Sequence, residues 1–213
     1  EMSVNLRWAT PNLDAEIAFQ GRVSNVENQN NPEFTKLLNY LMTHGHVSPF
    51  EMANMCVEIN TTRDISRQIL RHRSFSFQEY SGRYAEMTDL GDMVERECRL
   101  QDKANRQSSL ECVDMDINLD FKGDQLIVWD MARQCYDHAL SLGIAKEQAR
   151  ALLPEGLTPT RLYMNGNMRS WIFYLKQRLD PSTQKEHRII AEQVLQIFRQ
   201  VAPVTAAAFF GDK

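Results

Sequence analysis

Two hydrophobic periods alternate along the chain, and each switch between them marks a change of element. Val4, Leu6 and Trp8 alternate with Asn5 and Arg7, which predicts a short half-buried strand. Asn31 and Pro32 then open a helix carrying Phe34, Leu37, Leu38 and Leu41 at helical spacing, with Gly45 as its terminator. Period two returns over 52–60. Ala53, Met55, Val57 and Ile59 share one face and Asn54 and Glu58 the other, the pattern of a strand with one wet face. Thr61 and Asp64 stand at capping-box spacing and predict a helix running towards Arg73. On it Ile65, Ile69 and His72 line one side; Asp64, Arg67, Gln68 and Arg71 line the other.

From Glu86 to Asp124 the periodicity fades, and mixed helix and loop is expected. Helical spacing resumes over 125–142 through Leu126, Trp129, Ala132, Tyr136 and Ala139, up to Gly143. A shorter helix covers Lys146 to Leu153 and stops before Pro154. Thr160, Leu162 and Met164 alternate with Arg161 and Tyr163, a strand closed by Asn165-Gly166. A helix from about Asn167 turns Met168, Trp171, Ile172, Leu175 and Leu179 inward. Residues 167 and 178 are about 1100° apart around it, so Asn167, Tyr174 and Arg178 are expected on one face away from that apolar stripe. A last helix after Pro181 carries Ile190, Val194, Ile197 and Val201 inward and ends at Pro203. Without repeats or linkers, residues 1–213 read as one α/β (α+β) domain, a mixed or antiparallel sheet packed by helices.

Charge adds one qualification. A formal net charge of −4 argues against broad wrapping of nucleic acid. Within it 17 Arg stand against 7 Lys. Arg presents a rigid fork of donors matched to phosphate and carboxylate, so local anion sites are expected inside an acidic whole. No apolar run approaches the ~20 residues that span a bilayer, and the start of the chain has no basic and apolar leader. The expectation is therefore a cytoplasmic protein with no membrane partner. The four cysteines, Cys56, Cys98, Cys112 and Cys135, form no CxxC pair and read as free thiols.

The densest chemistry lies at Arg71-His72-Arg73-Ser74-Phe75-Ser76-Phe77-Gln78-Glu79-Tyr80-Ser81-Gly82-Arg83. Three arginines, a histidine, three serines and one carboxylate suit a phosphate and a heterocycle that both donates and accepts. Phe75, Phe77 and Tyr80 offer flat surfaces for a ring. Composition alone leaves a charged surface loop, or a basic patch that grips RNA, equally open.

The spacing resembles the signature of flavin-dependent thymidylate synthases, RHR-x-x-S-x-N-x-x-S-x-R, with Gln78 in place of the Asn. His44-Gly45-His46-Val47-Ser48-Pro49-Phe50-Glu51 is similar to the family's HGHxxPFEH, with Met52 for the last His. Ala149-Arg150, Asn167-Met168-Arg169-Ser170 and Arg178 resemble its later positions, and Phe173 stands where relatives often carry a polar flavin contact. The likeness covers roughly residues 40–85 and 145–180. No further strong ligand joins His44, His46 and Glu51 at metal spacing, so no metal is expected.

The resemblance implies a methyltransferase that makes dTMP from dUMP. The carbon comes from 5,10-methylenetetrahydrofolate and the hydride from FAD recharged by NADPH, in a homotetramer whose chains share active sites. It implies that Arg178 activates the pyrimidine electrostatically, with no cysteine nucleophile. Gln68, Arg71, Glu79, Tyr80, Ser81, Gly82, Arg83 and Arg150 would join Arg178 around dUMP. Ser48, Arg71, His72, Arg73, Glu79, Asn167 and Arg169 would hold FAD, with His46 beside flavin and folate. Ser81 invites a catalytic, nucleophilic reading, but no general base stands at a productive spacing, and binding is preferred. His72 is equally well read as a satisfied core histidine. The absence of GxGxxG argues against a Rossmann flavoprotein.

Overall fold

The structure, a computed structural model, describes residues 2–211. Its strands are β1 (Ser3–Ala9), β2 (Asn54–Thr62), β3 (Ser76–Glu79), β4 (Arg99–Gln101), β5 (Ser109–Glu111) and β6 (Pro159–Asn167). Four of them form one sheet in the order β1-β2-β6-β3, and β4 and β5 form a separate hairpin. Every pairing in the main sheet is antiparallel, which narrows the mixed-or-antiparallel expectation. The helices are α1 (Leu13–Gly21), α2 (Thr35–Thr43), α3 (Arg63–Ile69), α4 (Met115–Ser141), α5 (Lys146–Ala149), α6 (Met168–Arg178), α7 (Lys185–Val201) and α8 (Pro203–Phe210).

The core lies on one face of the sheet. Met55, Val57 and Ile59 of β2 and Leu162 and Met164 of β6 meet Trp171, Ile172 and Leu175 of α6 and Ile190, Val194 and Phe198 of α7, all within one cluster of buried residues. Burial of such side chains contributes roughly 1.5–3 kcal/mol each, so these two strands and two helices carry the architecture. Strand β6 passes into α6 without a loop. Asn167 ends the strand and caps the helix, its Oδ1 accepting from Ser170 N–H at 2.9 Å.

Several local expectations change. Asn165-Gly166 is not a turn: both residues pair with β2, and Gly166 is needed because a Cβ there would lie 2.4 Å from Phe75 Cδ1. Helix α3 ends at Ile69, short of Arg73, and the motif continues instead as β3 on the sheet edge. Helix α2 begins at Thr35, past Asn31 and Pro32. The 146–153 segment divides into α5 and a 3-10 turn over Arg150–Leu152. Leu6 and Trp8 of β1 are exposed, with a register shift between them.

Periodicity also gave no warning of α1 or α8. Asp14 ties them together by accepting from Val204 N–H, Thr205 N–H and the Thr205 hydroxyl at 2.8, 3.1 and 2.5 Å. The 86–124 stretch holds a 3-10 turn, the β4–β5 hairpin and the start of α4, which Asp114 caps ten residues before the periodicity became visible.

Candidate active site

The residues singled out above fall into three groups on one side of the sheet. In the first, Arg178 ends α6 and His72 follows α3; Arg178 Nε donates to His72 Nε2 at 2.9 Å. His72 is therefore a neutral acceptor. Burial, with the Arg178 charge adding to it, pushes it down to about 4. Arg178 is half-buried, and its own value is lowered by burial and by the nearby charge of Arg71, while Tyr174 acts the other way. No carboxylate among the described residues lies within ion-pair distance of it, so its charge has no counter-ion among them.

Tyr174 corrects the helical-face expectation. It is 1% exposed, its ring set edge-on to His72 at 4.9 Å and its hydroxyl 3.1 Å from Nε2 of His187. Seven residues after Asn167 it still lies within about 20° of the same direction around the helix, and it meets the His72 ring to which Arg178 donates. What changes is that this face is buried, because α6 is covered over more than half its circumference. Gln68 closes this group, reaching Gln184 at 2.7 Å and His187 at 3.3 Å.

The second group surrounds Glu79 at the end of β3. Its Oε1 accepts from Ser66 at 2.6 Å and Thr160 at 3.1 Å, and Arg63 and Arg67 flank it at 3.9 and 3.6 Å. Tyr80 turns its hydroxyl to Glu86 O and Asp89. Ser81, Gly82 and Arg83 follow in a turn. Gly82 is buried, and a Cβ there would sit 2.5 Å from Met87 Sδ and 3.2 Å from Arg150 Cδ. Arg83 pairs with Glu147 at 3.3 Å. A cavity of about 420 Å³ opens beside the turn, lined by Arg63, Arg67 and Arg150 among others. The Ser81 hydroxyl accepts from Arg83 N–H at 3.4 Å.

In the third group, Asn167, Arg169, Ser74 and Phe173 line a shallow cleft of about 450 Å³ with Glu51. Arg169 pairs with Glu51 and lies 5.8 Å over the Phe173 ring. Ser48 begins the 3-10 turn that carries Glu51, and exposed His46 stands edge-on to Tyr40 at 6.0 Å. His44 stacks on the same Tyr40 at 4.0 Å. Arg71 and Arg73, both exposed, lie on either side of His72.

A larger cleft, about 740 Å³, contains none of the residues drawn from the sequence and meets the first group only through Gln184 and Glu186. Several participants were not anticipated: His187, Gln184 and Glu186 beside Gln68, and Ser66, Thr160 and Arg63 around Glu79. One signal was available. His187 stands three residues before Ile190, on the apolar stripe of α7, where a polar side chain needs a partner.

Residues 5–204 match the family model described as Thymidylate synthase complementing protein. A flavin-dependent thymidylate synthase of Synechocystis sp. is 51% identical over 192 residues, covering 90% of this chain and 87% of the relative. A probable flavin-dependent thymidylate synthase of Paramecium bursaria Chlorella virus 1 is 43% identical over 90% of this chain and 88% of its own length. Among solved structures, the UMP/dUMP methylase PolB of Streptomyces cacaoi bound with 5-Br dUMP superposes with a TM-score of 0.86 at 27% identity, covering 98% of this chain and 94% of that one. The signature at 71–83 is thus one part of a likeness running nearly end to end, and the chain belongs to the family of flavin-dependent thymidylate synthases.

Proposed function

We propose that this enzyme converts dUMP to dTMP with 5,10-methylenetetrahydrofolate as carbon donor, FAD as hydride source and NADPH as reductant. The observation that carries this reading is Arg178: a half-buried guanidinium, fixed through Nε and without a carboxylate partner among the described residues. Carbon 5 of uracil attacks an electrophile only as negative charge develops along O4 or the N3–C2–O2 edge. A guanidinium held at that edge stabilises the charge as it forms and makes a cysteine nucleophile unnecessary. His72, neutral and accepting, fixes the fork without competing for the anion.

The donor set fits FAD. Exposed Arg71 and Arg73 beside His72 suit a diphosphate, and Asn167, Arg169 and Ser48 extend the donors across the neighbouring cleft. Bound there, reduced FAD supplies the hydride that turns the transferred carbon into methyl. Glu79, Tyr80, Ser81, Gly82, Arg83 and Arg150 line the phosphate and sugar end, where Gly82 lets Arg150 come close. Exposed His46 is the residue we assign to the folate.

The apolar side chains of α4, with Ile117, Leu119, Leu126, Ile127 and Met131 between 42% and 68% exposed, support a homotetramer whose sites combine residues of several copies. Mixing inactive Arg178→Ala with inactive Arg83→Ala chains, whose defects lie in different groups, should restore activity; no recovery counts against shared sites. We place the enzyme in the cytoplasm, where its substrates are made.

The decisive experiment combines the visible spectrum of protein given FAD with dUMP-dependent oxidation of its reduced flavin and detection of dTMP. UMP is run in parallel because the structural relative is a UMP/dUMP methylase. A colourless protein that leaves dUMP untouched overturns the reading.

A further inference from the structure

A single file of hydrogen bonds runs behind the candidate site, and its direction is fixed from one end. Glu186, 3% exposed, accepts from Arg99 and lies 3.6 Å from Arg96. Burial opposes its ionisation, but the hydrogen bonds from Arg99, its own backbone N–H and Gln184, together with the Arg99 charge, outweigh burial and hold it ionised, so it is acceptor only. Gln184 must therefore turn its amide N–H to Glu186, at 2.9 Å, and its carbonyl outward. That carbonyl takes the N–H of Gln68 at 2.7 Å, which leaves the Gln68 carbonyl facing His187 Nδ1 at 3.3 Å. Nδ1 must then carry the proton and Nε2 must accept, from the Tyr174 hydroxyl at 3.1 Å. Each link admits one orientation. The tautomer of His187 follows from a carboxylate three side chains away.

We propose that His187 is a positioning residue, which holds the Gln68 carbonyl so that the remaining Gln68 N–H faces the substrate. The inference rests on the reading of Gln68 as a dUMP contact. His187 is fully buried and lines neither smaller cleft, so its effect is indirect. Its ring lies 5.8 Å from that of Tyr174 and 6.3 Å from that of His72, at the centre of the group. Without the Nδ1 donor, the Gln68 carbonyl loses its partner and the amide is held through Gln184 alone, so its free N–H is no longer fixed towards a ligand acceptor. Losing one such hydrogen bond corresponds to about tenfold in affinity.

Three substitutions separate positioning from packing. Asn at 187 places an amide N–H where Nδ1–H was and keeps the bond to Gln68; Gln and Phe do not. We expect His187→Phe and His187→Gln to raise the dUMP KM about tenfold with kcat within about threefold. His187→Asn should return KM to within about threefold of the parent. If all three fold cooperatively and keep the parent KM, or if Asn loses as much as Phe, the proposal is overturned.

A second measurement does not depend on activity. Long-range nitrogen–proton NMR spectra of histidine-labelled protein should show His187 protonated on Nδ1 between pH 5 and 8. The Nε2–H form overturns the relay whatever the substrate. A parent enzyme inert towards dUMP but with the Nδ1–H tautomer would sink the functional reading and leave the relay standing, with the claim about substrate refuted.

Discussion

Arg178 gives its Nε to a histidine, not to a carboxylate, and this sets what the guanidinium can do. An aspartate there would have neutralised it. A neutral imidazole orients the fork and leaves its charge available. Replacing Arg178 with Ala should lower turnover by ~10²–10³ with FAD and dUMP still bound, the usual cost of removing a preorganised charge partner. Steady-state flavin oxidation measures this, and near-normal turnover would show that Arg178 does not activate the pyrimidine.

Ser81 is expected to bind and not to react. Its hydroxyl accepts from Arg83 N–H, and none of its hydrogen bonds among the described residues is to a general base. Ser81→Ala should keep kcat within about tenfold while raising the dUMP KM. Mass spectrometry of enzyme quenched during turnover should find no pyrimidine attached at Ser81; an adduct there would reverse the assignment.

Gly166 tests the packing behind the motif. A methyl group at this position meets the Phe75 ring at 2.4 and 2.6 Å, and that ring is already wedged against Trp171 at 4.7 Å. Overpacking of this kind costs about 1–3 kcal/mol. Gly166→Ala should therefore lower Tm by roughly 5 °C on a thermal melt. An unchanged Tm would mean that Phe75 moves freely.

Acid should destabilise the fold before carboxylates are protonated. Burial, and then the charges of Arg178 and His72, push His187 from 6.5 down to about 3. A depressed histidine means that the unfolded chain takes up a proton first, so stability falls as pH drops from about 6.5 towards 3 and is level above that. At pH 5 the loss from His187 alone is about 2 kcal/mol, and His72 acts in the same sense. Urea unfolding at pH 7.5 and 5.0 measures it. His187→Asn should remove about half of the difference, the remainder being that of His72; an equal difference in both proteins would locate the effect elsewhere.

Much of the frame was legible because strong periodicity and burial coincide. Met55, Val57 and Ile59 alternate in sequence and are all fully buried. The capping role of Asn167 could be foreseen from where the alternation gave way to helical spacing. Tyr174 was misplaced for a physical reason: a wheel drawn from the apolar residues assigns a tyrosine to the wet side, yet a buried partner for its hydroxyl removes the cost of burying it. Helix α4 became visible only at residue 125, since its first ten residues expose apolar and polar side chains together, and an amphipathic pattern needs one covered face. The site residues were legible one by one through the motif. Their grouping was not, because it depends on β3 folding back to pair with β6, a contact between positions some 85 residues apart in the chain.

The direct passage from β6 into α6 limits how such an enzyme can diverge. With no linker to absorb a change of length, one inserted or deleted residue at 167 would turn the following helix by about 100° and swing its terminal guanidinium away from the imidazole. Variation at this junction is therefore confined to exchanging side chains in place, and relatives that differ in substrate are expected to keep the same spacing from strand to helix end.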